Sequence, residues 1–377
     1  MLNNRQTVVI IGGGIAGLCA AVYAQRCGYQ AEVIEMNQVP GGLATSWHRG
    51  GYTFETCLHW LLGSNPESSM HAQWAEIFDI DKLEFLYPEE FVRYENERGE
   101  CLRIYSDIDQ LEAEMLRVSP ADAANIRNFT SGVRRLSDFH LPDPSGGLAD
   151  NWRTYLHDLP YVPLMRRLAS VRSCEYGERF VNPLLRGFFG DSGSAEMSAV
   201  ALFFSLAWTN QRDAGYPIGG SQAIIRPIVK RLTELGGKLR LSARVHRILV
   251  KDGAAVGVEL VDGEHIPAGW VISAADGHST LYEMLGHKYI DDASDKIYRE
   301  FETFPSYLQV SLGIAQNLSQ QPGFFARLLE TPLIVDPATQ LKQLSFRIFN
   351  FDPTFACRKD GCHVFPSHAQ LRVLGQP

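Results

Sequence analysis

Short apolar runs and one helical pattern alternate over the first forty residues. Thr7–Ile11 is a β-branched run of the kind that forms a buried parallel strand. Leu18–Cys27 is alanine-rich and helical in pattern, and Gly28 fits a helix stop. Ala31–Glu35 is a second short apolar run. The pattern therefore predicts a strand, a glycine turn, a helix and a second strand that ends on an acid.

The glycine turn reads Gly12-Gly13-Gly14-Ile15-Ala16-Gly17. Gly12 permits a tight turn, Gly14 lets the backbone approach a pyrophosphate, and Gly17 lets helix and strand pack closely. The helix N-terminus offers backbone N–H groups and a positive dipole to the phosphates. Glu35 is placed to accept hydrogen bonds from an adenosine ribose. Because all these elements occur in the required order, the segment predicts a dinucleotide site.

A second patterned block lies far down the chain, over residues 216–275. Ser221 is expected to cap a helix whose apolar residues recur at helical spacing, and Gly236-Gly237 ends that helix. Asp252-Gly253 predicts a tight hairpin turn and Asp262-Gly263 another turn. The strands predicted around them are Leu239–Leu241, Val245–Lys251, Ala255–Leu260 and Val271–Ala275.

The region between these blocks mixes amphipathic helices with apolar runs. Asp107–Arg117 predicts an amphipathic helix with an acidic start, and Pro142–Gly147 predicts a loop. The apolar run AVALFFSLAW over 199–208 is expected to build a core. Two interpretations of Tyr155–Arg172 stay open: an ordinary core segment, or an interfacial helix on a membrane surface. In the second case the headgroups would meet Arg166, Arg167 and Arg172.

Composition and charge exclude some classes of function. The chain has 377 residues, 45% hydrophobic and 21% charged, which is typical of a globular protein. Its 35 basic and 43 acidic residues give a net charge of −8, which argues against a nucleic-acid binder. No apolar stretch is long enough to span a membrane. Seven scattered cysteines and an N-terminus without a signal peptide predict a reducing, cytoplasmic location.

The segment after Glu35 carries a resemblance to a known family. Gly41-Gly42 follows the acid closely, and the string GGLATSWHRGGYTFETCLHWLLG continues from it. This resembles the extended FAD motif of the flavin amine oxidase superfamily, and within it the phytoene desaturase, carotenoid isomerase and retinol saturase branch. The block over 216–275, with its Y-P-x-G-G segment, resembles the second half of the same FAD domain. The resemblance extends to about Phe355.

The resemblance implies an α/β fold with a Rossmann-type FAD-binding domain built from discontinuous segments, plus a mixed α+β substrate domain. The implied FAD-binding domain covers 1–70 and 212–281, and the substrate domain covers 71–211 and 282–356. The implied cofactor is FAD, and the substrate is a lipophilic, unsaturated small molecule of carotenoid or retinoid type. A peripheral membrane contact stays open. The cofactor contacts, Val245 through its backbone, would be Gly12, Gly14, Ile15, Ala16, Gly17, Glu35, Gly41, Gly42, Leu43, Val245 and Ala274.

The same resemblance implies redox or isomerisation chemistry, but other functions stay open. One is a flavin amine oxidase-like enzyme on the same scaffold. Another is an NAD-only dehydrogenase, which Gly41-Gly42 and the 216–275 block disfavour. A third is an inactive, truncated FAD-fold protein. The string CLHW at 57–60 departs from the carotenoid enzymes, where a small residue commonly precedes a serine, so the carotenoid is less firmly implied than the flavin.

Candidate catalytic residues lie in the segment expected to run close to the flavin. His59 titrates near neutral pH and could move a proton. Glu55 could do the same if burial raised its pKa. The alternative for His59 is a structural histidine beside Trp60. Cys57 lies in the same segment.

The last residues do not resemble the family. A one-base shift of permitted codons gives family-like text in two places, so 357–377 is predicted to be an out-of-frame tail on a C-terminally truncated chain. Cys357, Cys362 and His363 offer three metal ligands in this tail, one short of a structural zinc site. We therefore predict no metal.

Overall fold

The computed structural model describes residues 6–55, 58–142, 146–190, 195–301, 307–336, 339–356, 362–367 and 369–370. Its strands are β1 Thr7–Ile11, β2 Gln30–Ile34, β3 Ser46–Arg49, β4 Tyr52–Glu55, β5 Leu61–Leu62, β6 Phe85–Leu86, β7 Glu90–Glu95, β8 Cys101–Tyr105, β9 Ala214–Pro217, β10 Lys238–Arg240, β11 Val245–Lys251, β12 Ala254–Leu260, β13 His265–Pro267, β14 Trp270–Ser273, β15 Tyr307–Leu308, β16 Leu312–Ile314, β17 Phe324–Asp336, β18 Thr339–Ile348, β19 Cys362–Ser367 and β20 Ala369–Gln370.

The α-helices are α1 Ile15–Arg26, α2 Ser69–Ile77, α3 Ile108–Val118, α4 Ala123–Ser137, α5 Leu148–Asp158, α6 Val162–Ala169, α7 Ser173–Gly177, α8 Pro183–Phe189, α9 Ala199–Asn210, α10 Gly220–Glu234 and α11 Asp292–Glu300. Short 3₁₀ turns cover Ile80–Lys82, Pro120–Asp122 and Leu159–Tyr161, and a π-helical turn covers Ser279–Met284.

A parallel sheet with the strand order β10-β2-β1-β14 combines two strands from the first forty residues with two strands from the block over 216–275. Val8 and Ile10 of β1 pack towards α1 and α10 on one face. Val9 and Ile11 pack on the other face, against the antiparallel meander β11-β12-β13. Successive side chains of a strand point to opposite faces, so a strand covered on both sides is apolar throughout. This three-layer arrangement confirms the predicted α/β fold class.

Two helices cover one face of the parallel sheet. Leu18 of α1 and Ile228 of α10 are fully buried in a common core. Helix α1 begins before the predicted Leu18, because Gly14 already adopts the extended N-cap conformation. The prediction that Ser221 caps α10 was wrong. Gly219 occupies the N-cap with φ 93°, a conformation that favours glycine, and Ser221 lies inside the helix.

A second sheet, with the order β16-β19-β18-β17-β7-β8, carries a helical layer. The buried core between them centres on Phe129, whose ring packs edge-on against Phe203 and Phe189 with centroids 5.0 Å away. Asp107 caps α3 through hydrogen bonds from Asp109 N and Gln110 N, as the predicted acidic start suggested.

The segment Tyr155–Arg172 is not one continuous helix. Helix α5 ends at Asp158, a 3₁₀ turn follows, and α6 begins at Val162. Pro160 lies in the turn and Pro163 in the first turn of α6, where proline is tolerated because its missing N–H is not needed. Residues 143–145 of the predicted Pro142–Gly147 loop lie outside the described residues.

The C-terminal residues are described in part. Strand β19 pairs with β18 and β16, and β20 pairs with β15. Residues 357–361, 368 and 371–377 lie outside the described part, as do the side chains of Cys357, Cys362 and His363. The out-of-frame tail, the domain boundaries and the expected absence of a metal stay predictions.

Candidate functional site

The glycine turn after β1 is tightly packed against the sheet. Gly12 has φ 98°, and its N–H donates to Ile34 O at 2.8 Å. A β-carbon on Gly17 would overlap the Gly12 carbonyl oxygen and lie 3.2 Å from Ala274 Cβ. Only glycine at position 17 therefore lets α1 approach β1 and the end of β14 this closely.

The N-terminus of α1 is open to an anionic ligand. Gly14 is the N-cap in extended backbone and supplies no side-chain cap. Leu18 N donates to Gly14 O at 2.9 Å, as the first turn of the helix requires. The preceding N–H groups, including those of Ile15 and Ala16, have no acceptor within an α-helix and can receive phosphate oxygens. These residues fit the pyrophosphate of a dinucleotide.

Glu35 lies at the end of β2 with its side chain buried, 4% exposed. Its Oε2 accepts from Gly13 N at 2.7 Å, and its Oε1 accepts from Asn37 N and Asn37 Nδ2, both at 2.8 Å. A carboxylate has about four acceptor positions. One position on Oε2 is thus left for a ribose hydroxyl. Asn37, which orients this carboxylate, had no signal in the sequence pattern.

The Gly41-Gly42 pair lies directly against the first glycine turn. Gly41 N donates to Gly13 O at 2.8 Å, and a β-carbon on Gly42 would lie 3.2 Å from Gly14 Cα. Both glycines have positive φ, 125° and 60°. Leu43 follows with its side chain 80% exposed. The pair therefore continues the surface formed by the start of α1.

The predicted contacts of the second block reach the same surface through the backbone. The side chain of Val245 is buried in the core of the meander, so only its backbone can meet a ligand. Ala243 N donates to Glu35 O at 2.9 Å, which holds the entry to β11 beside the acid. Ala274 N donates to Ile11 O at 2.8 Å. Cofactor contacts of all these residues stay predictions.

Glu55 ends β4 and is buried, 2% exposed. Its Oε1 accepts from Ser221 Oγ at 2.6 Å and its Oε2 from Ser221 N at 2.9 Å. A β-carbon on Gly220 would overlap Oε2. The carboxylate thus lies at the N-terminus of α10, where N–H groups and the helix dipole stabilise a negative charge. This geometry favours a structural role, in which the Glu55 side chain holds β4 to α10, over a role in proton transfer.

His59 is exposed and is held by an arginine from the second sheet. Its Nδ1 accepts from an Arg347 terminal nitrogen at 2.6 Å, and its carbonyl oxygen accepts from the other terminal nitrogen at 2.9 Å. A guanidinium only donates, so Nδ1 carries the lone pair and the proton lies on Nε2. The catalytic roles of His59 and Glu55 stay predictions, and Cys57 lies outside the described residues.

A cavity of about 310 Å³ opens between the His59 segment, β9 and the second sheet. Tyr216 on its wall is 3% exposed, its hydroxyl has no hydrogen-bond partner in the described part of the chain, and burial raises its pKa above the usual range. The cavity is lined mainly by aromatic and aliphatic side chains: Trp60, Leu86, Pro88, Phe91, Ala214, Tyr216, Phe324 and Phe351. The sequence analysis named His59 and the Y-P-x-G-G segment, which contribute to this cavity, but it did not find Arg347.

Within the described residues, one group of side chains could hold a metal ion: His140, His157 and Asp158. His157 Nδ1 lies 2.9 Å from Asp158 Oδ1 and 3.3 Å from His140 Nδ1. A proton on His157 Nδ1 that is donated to Asp158 accounts for this arrangement without an ion. In the part of the chain that the structure describes, no helix combines the length and apolar character needed to cross a lipid bilayer.

Strand, glycine turn, helix and buried acid together define a dinucleotide-binding protein. A family model described as flavin containing amine oxidoreductase matches residues 15–284, and the chain belongs to this family. Because the family is flavin-containing, the predicted resemblance and FAD as cofactor are confirmed. An NAD-only dehydrogenase is correspondingly disfavoured.

Curated relatives refine this assignment. A phytoene desaturase (neurosporene-forming) of Rhodobacter capsulatus is 31% identical over 306 residues, which cover 76% of this chain and 56% of that protein. Prolycopene isomerase 1 of an Oncidium hybrid cultivar is 24% identical over 322 residues, which cover 81% of this chain and 54% of that protein. The chain thus spans about half the length of these relatives. Their names do not favour the amine oxidase alternative.

The fold is also found among solved structures. An oxidoreductase from Methanosarcina mazei matches with a TM-score of 0.61 at 18% identity, covering 96% of this chain and 79% of that one. A putrescine oxidase variant matches with a TM-score of 0.62 at 16% identity, covering 97% and 76%. At these identities the likeness concerns the fold alone.

Proposed function

We propose that this chain is an FAD-dependent oxidoreductase that carries out redox or isomerisation chemistry on a lipophilic, unsaturated substrate of carotenoid or retinoid type. The observation that carries this proposal is the aromatic cavity of about 310 Å³ at Tyr216, in the Y-P-x-G-G segment that the family resemblance brings near the cofactor. Ligand cavities of this character hold apolar molecules and orient them through a few polar groups. The names of the relatives, a phytoene desaturase and a prolycopene isomerase, point to the same chemical class.

The chain's own residues would divide the work of binding. The N–H groups at the start of α1 would hold the pyrophosphate, and Glu35 would hold the ribose. FAD supplies the electron-transfer chemistry when bound. The aromatic wall of the cavity would exclude water and align the substrate. His59, fixed by Arg347, would present its Nε2–H to the site.

The spectrum of the purified protein tests this proposal first. Flavin absorbance that stays with the chain through gel filtration is expected, and anaerobic incubation with a polyene should change it. Glu35→Gln removes one carboxylate oxygen and should weaken FAD binding roughly tenfold. Glu32→Gln, on the same strand, is the matched control and should leave binding unchanged. A colourless chain that takes up no added FAD would contradict the proposal. Retained flavin that no donor reduces would favour the inactive-protein alternative.

We also propose that the chain meets a membrane surface through α5 and the turn after it. Apolar side chains recur there at helical spacing and are strongly exposed: Leu148 80%, Trp152 51%, Leu156 61% and Leu159 63%. Arg153 lies on α5, and Arg166 and Arg167 lie on α6 directly after the turn, where they suit anionic headgroups. A lipophilic substrate would enter from such a surface.

Sedimentation with anionic lipid vesicles tests the membrane contact. Leu156→Glu should reduce the bound fraction several-fold, because it places a charge in the apolar stripe. Ile297→Glu, at a similarly exposed apolar site on α11, is the control and should bind like the unchanged protein. Equal binding of both variants would refute a contact through α5.

A further inference from the structure

We propose that the cavity selects a lipophilic substrate with an anionic end group, of which a carboxylate is the simplest, and that Arg347 binds this group. The inference rests on the proposed function and names its substrate class. It differs from a hydrocarbon substrate, for which a charged group in the cavity would be a penalty.

Arg347 lies near the end of β18, half-buried, with its guanidinium on the cavity wall. The guanidinium lies over the rings of Tyr216 and Phe349, 5.4 and 5.3 Å from their centroids. Two of its N–H groups donate to His59. A guanidinium has five N–H donors in a fixed plane, so three have no acceptor among the residues that the structure describes. Stacking and hydrogen bonding therefore fix its orientation and leave donors for a ligand.

The acids near Arg347 in the described part of the chain are engaged by other groups. Within the described residues, Arg347 forms no ion pair with a carboxylate. Glu90, the acid on the cavity wall, is bound through both oxygens by Arg93 at 2.6 and 2.7 Å. Glu55 is engaged by Ser221. Consequently, no carboxylate among the described residues contacts the positively charged guanidinium of Arg347.

Partial burial makes that charge costly when no anion contacts it. Loss of water around Arg347 lowers its pKa, and the negative charge of the nearby Glu55 offsets this effect only in part. Arginine nevertheless stays protonated in proteins, so the charge persists. A buried charge is stabilised when it is paired and hydrogen-bonded. A substrate carboxylate would supply both the pair and the acceptors, in the two-point geometry that a guanidinium matches.

The rest of the cavity suits the apolar part of such a substrate. Trp60, Phe91, Phe324 and Phe351 form its walls. The side-chain amide of Asn350, a polar group on the wall, already donates to Leu318 O and Gln321 O. One cation among aromatic walls is the pattern expected for an amphiphile whose tail carries double bonds.

A matched pair of fluorescent polyenes tests this directly. cis-Parinaric acid and its methyl ester differ only in the carboxylate, and each can be titrated into the protein at pH 8. The acid should bind about 10- to 100-fold more tightly, the range of a charge-assisted hydrogen bond. Arg347→Gln should abolish the preference and leave ester binding within about threefold. Arg327→Gln is the control: its arginine lies on β17, stacks on Phe325 and does not line the cavity.

The outcomes separate this inference from the proposed function. Equal affinity of the unchanged protein for acid and ester overturns the inference, while retained flavin would leave the proposed function standing. A preference that survives Arg347→Gln also overturns it. A protein that binds neither probe refutes the lipophilic cavity and with it both proposals. If Arg347→Gln does not fold, Arg347→Lys serves in its place, because it keeps the charge without the planar guanidinium and should reduce the preference for the acid. An unaltered preference in Arg347→Lys would overturn the inference.

Discussion

The substitutions Gly17→Ala and Gly14→Ala each add one methyl group, about one helical turn apart. We expect the first to reduce the stability of the fold and the second to reduce FAD binding. At Gly17 the new carbon would overlap the Gly12 carbonyl oxygen and lie 3.2 Å from Ala274 Cβ. At Gly14 the nearest atoms, in Gly41 and Gly42, lie 3.9 Å away, which is ordinary contact. Gly17→Ala should therefore damage the fold, and Gly14→Ala should damage the binding surface.

The size of the stability loss in Gly17→Ala depends on the buried side chains of α1. To restore an ordinary carbon–oxygen contact, the helix must move about 1 Å away from β1. Leu18, Ala21 and Val22 on that face are fully buried, so the shift disturbs the whole layer. Overpacking of this kind costs about 1–3 kcal/mol, and alanine's better helix propensity returns up to about 1 kcal/mol. Because the added carbon overlaps a backbone oxygen that cannot easily move, the cost lies at the upper end of this range, and we expect a net loss of about 2 kcal/mol.

The second effect is on the ligand. Gly14 has φ −71° and extended ψ, a conformation that alanine adopts without strain. Losing the N-cap preference of glycine costs only about 0.5 kcal/mol. The methyl group would instead stand where a pyrophosphate approaches the N–H groups of α1, so FAD affinity should fall at least about tenfold.

Urea denaturation of the FAD-free protein and titration with FAD measure the two effects separately. Gly17→Ala should lower the free energy of unfolding four times as much as Gly14→Ala, on the estimates of about 2 and about 0.5 kcal/mol. Gly14→Ala should unfold nearly like the unchanged chain and bind FAD poorly. The reasoning is refuted if Gly14→Ala destabilises as much as Gly17→Ala, or if it binds FAD normally.

Three further predictions concern buried polar groups. The hydrogen bond from Arg117 holds the pKa of Glu114 below its ordinary value, although burial opposes this shift. The stabilising contribution of Glu114 is therefore present above about pH 4.3 and is lost as pH falls through the lowered pKa. Glu114→Gln should flatten the acid limb of the plot of unfolding free energy against pH. Ser221→Ala removes a donor to the buried carboxylate of Glu55 and should cost about 2 kcal/mol in urea denaturation. Tyr216→Phe removes a buried hydroxyl that has no partner among the described residues, and should leave the stability of the FAD-free protein unchanged or raise it by up to about 1 kcal/mol.

Matched controls make these predictions decisive. Glu97→Gln changes an exposed acid and should keep the acid limb, so equal flattening in both variants would contradict the role of Glu114. Thr233→Ala removes an exposed hydroxyl bound to Val229 O and should cost far less than Ser221→Ala. A large loss of stability in Tyr216→Phe would mean that its hydroxyl has a partner.

The dinucleotide half of the fold could be predicted because its signals are local. The strand Thr7–Ile11 is covered on both faces, which makes every residue apolar or β-branched and the run easy to recognise. The hairpin at Asp252-Gly253 was predicted from its sequence, and both residues have the positive φ of such turns, 53° and 79°. The capping role predicted for Ser221 was wrong because a hydroxyl near a helix start can also bind a carboxylate that is distant in sequence, here Glu55. The local sequence does not distinguish these two roles.

The residues that line the cavity could not be predicted as a set, because its contacts join distant parts of the chain and its charged residue breaks the local pattern. His59 and Arg347 are 288 residues apart in sequence. On β18, Gln343 and Ser345 are buried, and Arg347 follows at the same alternate spacing. An alternating pattern alone would place these polar residues outwards and their apolar neighbours inwards. A half-buried arginine on that face costs stability unless something outside the chain compensates it, and residues that break local rules in this way mark functional positions. The charge of Arg347 at a half-buried position made it unrecognisable in the sequence pattern. That same charge is the reason to expect that Arg347 contacts the substrate.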